Sequence, residues 1–395
     1  MNIFYHIKET GKKLIEIAIE GRDWLYLLVV FLCIVNHYGI YAAGQMVVPL
    51  FMLHSISIIS NFGLHGHLRH VFQNSELPAI ELWKFAFRAR LSLLIFLLPL
   101  LLLLNNLTVA ATVYGSIWLI ARFMNEVQLV GARFNHRLND WLTVRIVLYL
   151  AVFFSIHNLH SHFQTEEMLL AIAIPEFLMT IVLLLSHVSL FPVTLLPRID
   201  FTQLKMALPH FYAQLIFTFN YYLLILPIAL TQPLRITAEF FLHLLMLVVG
   251  LVPAYLIWND YRNARPSMSE SDLTAATLAL IIRGTIASTI AVISGITLQL
   301  AIADIAPDLS IALPLFMIML SQYYTIPGLH ALTEEGKLPW LLRLWIISGL
   351  LQIAVTIIII NSSHQALLFP VISMLALAQS LMVFLMRQMK MEVQA

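Results

Sequence analysis

The sequence predicts an all-α polytopic membrane protein with about 12 transmembrane helices, arranged as two pseudo-symmetric six-helix bundles around a central cavity. Three observations carry that prediction. First, 60% of the 395 residues are apolar and only 11% are charged, against roughly 25% charged in an ordinary soluble domain. A soluble chain of this size with so few charges has too little polar surface to cover itself. Second, the apolar residues fall into runs of about 20, the length that crosses a bilayer as a helix. Third, lysine and arginine alternate between the connections in register with about twelve spans.

The elements follow in order. Residues 1–23 hold Lys8, Lys12, Lys13 and Arg22, and Ile7–Glu20 mixes charges with Leu14, Ile15, Ile17 and Ile19. That pattern predicts a helix lying on the cytoplasmic interface. The run from Trp24 is too long for a signal-peptide core and is read as a permanent span. The apolar runs are 24–43, 45–64, 87–104, 108–127, 141–158, 168–187, 207–230, 236–257, 273–298, 309–328, 339–361 and 364–388. Runs such as LSLLIFLLPLLLLL (91–104) do not alternate, which excludes a membrane β-barrel. With the N-terminus cytoplasmic, 17 of the 22 basic residues fall in cytoplasmic segments or at the cytoplasmic edges of the adjoining spans, and only Arg235 falls on the other side. Arg122, Arg145, Arg283 and Arg343 lie within spans. Both termini are therefore expected to be cytoplasmic.

Two halves are expected: a bundle over 24–187, a cytoplasmic linker helix over 188–206, a second bundle over 207–388, and a tail over 389–395. The fifth span opens with Trp141 and Arg145, and the eleventh opens with Trp340 and Arg343. The tryptophans lie 199 residues apart, which suggests a parallel repeat.

Composition excludes several classes. No soluble catalytic domain fits between the spans. The net charge of +1 gives no bulk affinity for nucleic acid. Cys33 is the only cysteine, so neither an internal disulfide nor a cysteine-based metal cluster can form. No phosphate-binding glycine loop, acidic metal pair or serine triad is evident, and no cofactor is implied.

Tyr38-Gly39-Ile40-Tyr41, the second-span end Asn61-Phe62-Gly63-Leu64 and the following Arg69 form one group of motifs. Phe201 through Leu208-Pro209 to Phe211 form another, and Glu335-Gly336-Lys337 precedes the last two spans. Together these resemble polysaccharide flippases of the multidrug/oligosaccharidyl-lipid/polysaccharide exporter superfamily. The chain departs from that pattern in having only 14 glycines and as many as 15 histidines. The resemblance implies alternating access. It implies an undecaprenyl-diphosphate-linked oligosaccharide moved from the cytoplasmic to the periplasmic leaflet of a bacterial inner membrane. It also implies membrane lipids and a glycan polymerase or export machinery as partners. Two rivals stand beside it: a multidrug cation antiporter of the same fold, and a membrane glycan polymerase or acyltransferase. Short external loops count against the latter.

Polar residues inside spans are the site candidates. Arg283 lies about 15 Å into the ninth span at 1.5 Å per residue. A charge there needs a cavity or a partner, so a phosphate or sugar-acid contact is expected. Arg122 is a second candidate for substrate contact. It is also four residues from Glu126, which suggests a local pair snorkelling to the cytoplasmic interface. Asn220 in the seventh span is placed to reach a sugar or to stabilise packing. Glu176 follows Pro175 in the sixth span and is the candidate proton carrier, with pairing to an arginine as the alternative. Glu239 and His243 in the eighth span form a second candidate for ion coupling, or a local hydrogen bond. His65, His67 and His70, and separately His157, His160 and His162, are read as solvated interfacial histidines rather than metal ligands.

Overall fold

The computed structural model describes residues 22–64, 88–95, 97–99, 108–134, 138–158, 164–186, 201–214, 220–263, 270–298, 300, 309–334, 338–362 and 365–394. Among these residues the structure is helical, with no strand. In chain order the helices are α1 (Arg22–Tyr38), α2 (Ile40–Asn61), α3 (Val109–Phe134), α4 (Leu138–His157), α5 (Thr165–Ser186) and α6 (Phe201–Gln214). There follow α7 (Asn220–Tyr222), α8 (Ile225–Thr231), α9 (Leu234–Asn263), α10 (Glu270–Leu298), α11 (Leu309–Glu334), α12 (Leu338–Ile360) and α13 (Leu368–Gln394). Residues 88–95 add a further helical stretch. Three described helices are long and apolar enough to cross a membrane by length and composition: Ile40–Asn61, Leu234–Ala254 and Arg343–Ile360. The expected interfacial helix, most of the linker and the Glu335–Lys337 motif lie outside the described residues.

The chain divides into two compact units, Val29–Phe211, and Met1–Leu28 with Tyr212–Ala395. In the first, α3 and α5 make the most extensive helix pair, and α4 packs on α5. In the second, the corresponding pair is α11 with α13, and α9, α10 and α11 pack mutually. The interiors are built of aliphatic and aromatic side chains. Val30, Phe31, Ile34 and Met46 are buried in the first, and Tyr221, Phe241, Leu245 and Ile318 in the second.

Some boundaries differ from those expected. The first span ends at Tyr38, not near residue 43, because Gly39 adopts φ +84°, a left-handed conformation that costs glycine little. The next helix starts at once, at Ile40. At its far end, Phe62 and Gly63 also have positive φ, 45° and 66°, and the Phe62 N–H reaches back to the Ile59 carbonyl at 3.1 Å. This turn closes the helix. It places Phe62 in a 4.4 Å stack on Phe211 of α6 and Leu64 against Ala89 and Ala207. The Asn61–Leu64 and Leu208–Phe211 motifs are therefore in contact.

The expected continuous seventh span, 207–230, is interrupted. α6 carries Pro209 inside it. After α7, Leu223 and Leu224 turn, with i→i−3 bonds from Leu224 N–H to Tyr221 and from Leu226 N–H to Leu223. α8 then continues to Thr231.

The repeat has a register of 200 residues. Val109 and Phe134 bound α3, and Leu309 and Glu334 bound α11. Leu138 opens α4 as Leu338 opens α12. The Trp141–Trp340 match is one residue out of that register, so the two tryptophans are not equivalent positions.

Candidate functional site

The interface of α3 and α5 contains an ion pair closed off from solvent. Arg122 Nη1 donates to Glu176 Oε1 at 3.1 Å, and both side chains are 0% exposed. Asn125, one turn after Arg122, donates from Nδ2 to Glu176 Oε2 and lies 3.1 Å from the Glu176 carbonyl. Thr180, one turn after Glu176, has its hydroxyl within reach of three acceptors. These are the Glu176 carbonyl at 2.9 Å, Asn125 Oδ1 at 3.0 Å and the Ala121 carbonyl at 3.1 Å. The Arg122 guanidinium also lies 5.1 Å above the Trp118 ring, a cation–π contact.

Helix geometry makes this possible. Arg122 and Asn125 are three apart on α3, and Glu176 and Thr180 are four apart on α5, so each pair shares a face. Pro175 lacks the N–H that would bind the Ala171 carbonyl and loosens α5 at this point. Burying two charges costs several kcal/mol per ion, which their attraction offsets only with good geometry and further hydrogen bonds. Asn125 supplies those bonds to the carboxylate.

This arrangement corrects the snorkelling reading of Arg122. Its side chain is 0% exposed and pairs with Glu176 on another helix, so it does not reach the interface. The side chain of Glu126 lies outside the described residues. Glu176 takes the arginine-paired alternative.

The 200-residue register shows how unusual the pair is. In the second half, Ser380 Oγ lies 2.8 Å from the Ser321 carbonyl and 3.0 Å from the Ala376 carbonyl. Thr325 Oγ1 and Ser380 Oγ are 2.8 Å apart. Ser321, Thr325, Ala376 and Ser380 thus repeat Ala121, Asn125, Glu176 and Thr180, contact for contact. At the two charged positions the second half holds Gln322 and Ala376. Gln322 is buried and donates to Tyr221 Oη at 2.6 Å. One helix interface is charged, and its counterpart is neutral.

The other candidates fall into place separately. Asn220 is buried and donates to Gln352 Oε1 at 3.0 Å, on α12. A Cβ at Gly349 would stand 2.7 Å from Asn220 Oδ1, so the two helices meet closely there. Glu239 accepts from Arg235 Nε at 2.9 Å, an exposed pair one turn long. His243 meets the Phe369 ring edge-on at 5.8 Å. Arg343 is exposed, and the Arg145 side chain lies outside the described residues. His65, His67, His70, His160 and His162 lie outside them too.

Arg283 stands apart from the ion pair. It is 13 residues into α10 and 15 from its end, about 20 Å from either terminus at 1.5 Å per residue. It is exposed, at the edge of a stripe formed by Ile282, Ile286, Ile290 and Ile293. Among the described residues no hydrogen bond or ion pair engages it. The neighbouring Gly284 faces the other way, where a Cβ would stand 2.4 Å from Tyr323 Cγ. Close packing on that side holds the arginine outward.

No protein-family model matches the chain, and no curated protein matches it. Solved structures do. An inward-facing multidrug resistance MATE family transporter of the MOP superfamily is 14% identical, with a TM-score of 0.62 over 95% of each chain. An outward-facing MATE transporter of that superfamily is 14% identical, with a TM-score of 0.53 over 95% of this chain and 96% of its own. A MOP superfamily transporter from Pyrococcus furiosus, described as having a binding pocket of reverse polarity that suggests a different function, is 14% identical. Its TM-score is 0.51 over 94% of this chain and 96% of its own. The chain has the fold of these transporters, a multi-pass helical membrane fold.

Proposed function

We propose that this protein is an alternating-access membrane transporter whose cargo has an anionic head. On this reading the cargo is an undecaprenyl-diphosphate-linked oligosaccharide, carried from the cytoplasmic to the periplasmic leaflet of a bacterial inner membrane. The fold supports transport rather than catalysis. The cargo is inferred from one observation, the unengaged Arg283 on the exposed side of α10. A guanidinium at mid-span costs too much in hydrocarbon, so that edge of α10 borders water or ligand. A diphosphate loses hydration on leaving the headgroup region, and a planar guanidinium fork replaces it.

The remaining candidates take subordinate roles on the same reading. Glu176 is the coupling carboxylate and Arg122 its resting partner, released when Glu176 takes a proton. Asn220 lies in the seventh span beside its interruption, where a sugar hydroxyl would compete for its amide. Glu239 and His243 are a second, peripheral proton route.

Export of cations is the second reading, favoured by the multidrug MATE neighbours. It conflicts with Arg283, which repels a cation along the exposed edge of α10. The test is surface glycan per unit of membrane-inserted protein in cells. Arg283→Ala is expected to stop export, and Arg283→Lys to leave part of it, because charge survives but the fork does not. Normal glycan from a well-inserted Arg283→Ala protein would refute the anionic-head reading.

A further inference from the structure

The last turns of α1 and α4 each carry a histidine, His37 and His157. Their ring centroids are 4.8 Å apart and the planes are inclined by 52°. Both rings are braced. Phe153, one turn before His157, stacks on it at 5.9 Å, and Tyr38 meets His37 edge-on at 4.5 Å. His157 is exposed and His37 partly so, which leaves the pair open to an ion from solution. The neighbouring carboxylates have different partners. Glu166 accepts a hydrogen bond from Thr108, while Glu167 lies within electrostatic reach of the Tyr38 hydroxyl.

We propose that His37 and His157 form a binding site for a divalent transition-metal ion, with Zn²⁺ as the reference case. The spacing fits. A Zn–N bond of about 2.0 Å, with the ring centroid about 1.1 Å behind the nitrogen, puts two tetrahedrally disposed imidazole centroids about 5 Å apart. Two rings inclined to each other can direct nitrogens at one ion, as face-to-face rings cannot. The field is favourable as well. The C-terminus of α4 lies here, and its partial negative charge attracts a cation. Glu167 adds to it.

Among the described residues no three metal-ligating side chains cluster. Among the described residues the site therefore offers two protein ligands, and with water at the remaining positions such a site binds modestly and exchangeably. Its place gives it a consequence. An ion held there ties the end of α1, two residues before Gly39, to α4. It restrains the positive-φ break between α1 and α2 and slows any transport step in which that break moves.

The test uses purified full-length protein in lipid nanodiscs, titrated with Zn²⁺ against a chromophoric chelator. Wild type is expected to bind Zn²⁺, with affinity falling about tenfold or more in His37→Gln and in His157→Gln. His157→Cys is expected to retain binding, because a thiolate is also a ligand; this separates lost coordination from lost folding. The double variant His160→Gln/His162→Gln is expected to bind as wild type does. No binding to wild type at millimolar Zn²⁺ would overturn the proposal. So would undiminished binding after both His37 and His157 are replaced, or loss of binding on replacing only His160 and His162.

Discussion

Glu176 illustrates how a single residue reads differently in sequence and in structure. From the sequence, a carboxylate after a proline in mid-span is recognisable as exceptional, because buried acids are costly. Its partner is not. Arg122 lies 54 positions away, while Glu126 sits at the helical spacing that local reasoning favours. The signal that finds the pair is the internal repeat: at a 200-residue offset, Arg122 and Glu176 face Gln322 and Ala376, and both departures are on facing helices. Glu176→Gln is predicted to remove the counter-charge that Arg122 meets on α5, at a cost of about 3–5 kcal/mol. This is measurable as a clear drop in the melting temperature of the purified protein. Arg122→Gln with Glu176→Ala, which copies the second half, is predicted to recover most of that stability. If transport stays absent in this stable double variant, the pair serves coupling; if it returns in full, the pair is structural.

Individual helices were largely legible, because apolar length sets them. Where they break was less so. Gly39 sits inside the run taken as one span, after Asn36 and His37, and its φ of +84° marks the boundary. The interruption after Tyr222 has no glycine at all, and it lies beside the buried amides of Asn220, Gln322 and Gln352. The repeat was visible in outline, but tryptophans gather at membrane interfaces whatever the register, so Trp141 and Trp340 gave an offset one residue short. Buried hydroxyls such as Thr180 and Ser380 are better markers, since each must meet a particular carbonyl. Close helix approach provides a prediction at this scale. Gly284→Ala drives a Cβ to within 2.4 Å of Tyr323 Cγ, at the rigid root of that ring, so α10 and α11 must separate. The expected loss is about 1–3 kcal/mol, read as a lower melting temperature; an unchanged value would show that the two helices slide freely.

For the molecule as a whole, composition and charge bias predicted a multi-pass helical membrane fold, and the 0.62 TM-score match to a MATE transporter bears that out. The direction of insertion has its own check. Single cysteines at Asn106, Ser161 and Asn361 are predicted to react with an impermeant thiol reagent from the periplasmic side, and those at Ser75, Asn135 and Ser267 to be protected. Native Cys33 is buried and adds little background. Labelling of both sets from one side would contradict the twelve-span topology. Cargo is the property least legible in the fold, since the same helices serve different chemistries, and it rests on Arg283. The most direct measurement is therefore transport by protein reconstituted in sealed vesicles, offered in parallel an undecaprenyl-diphosphate oligosaccharide and an organic cation. The account predicts translocation of the diphosphate lipid, abolished by Arg283→Ala and partly kept by Arg283→Lys, with no transport of the cation. Cation transport that persists or improves in Arg283→Ala, with the lipid left unmoved by wild type, would contradict it.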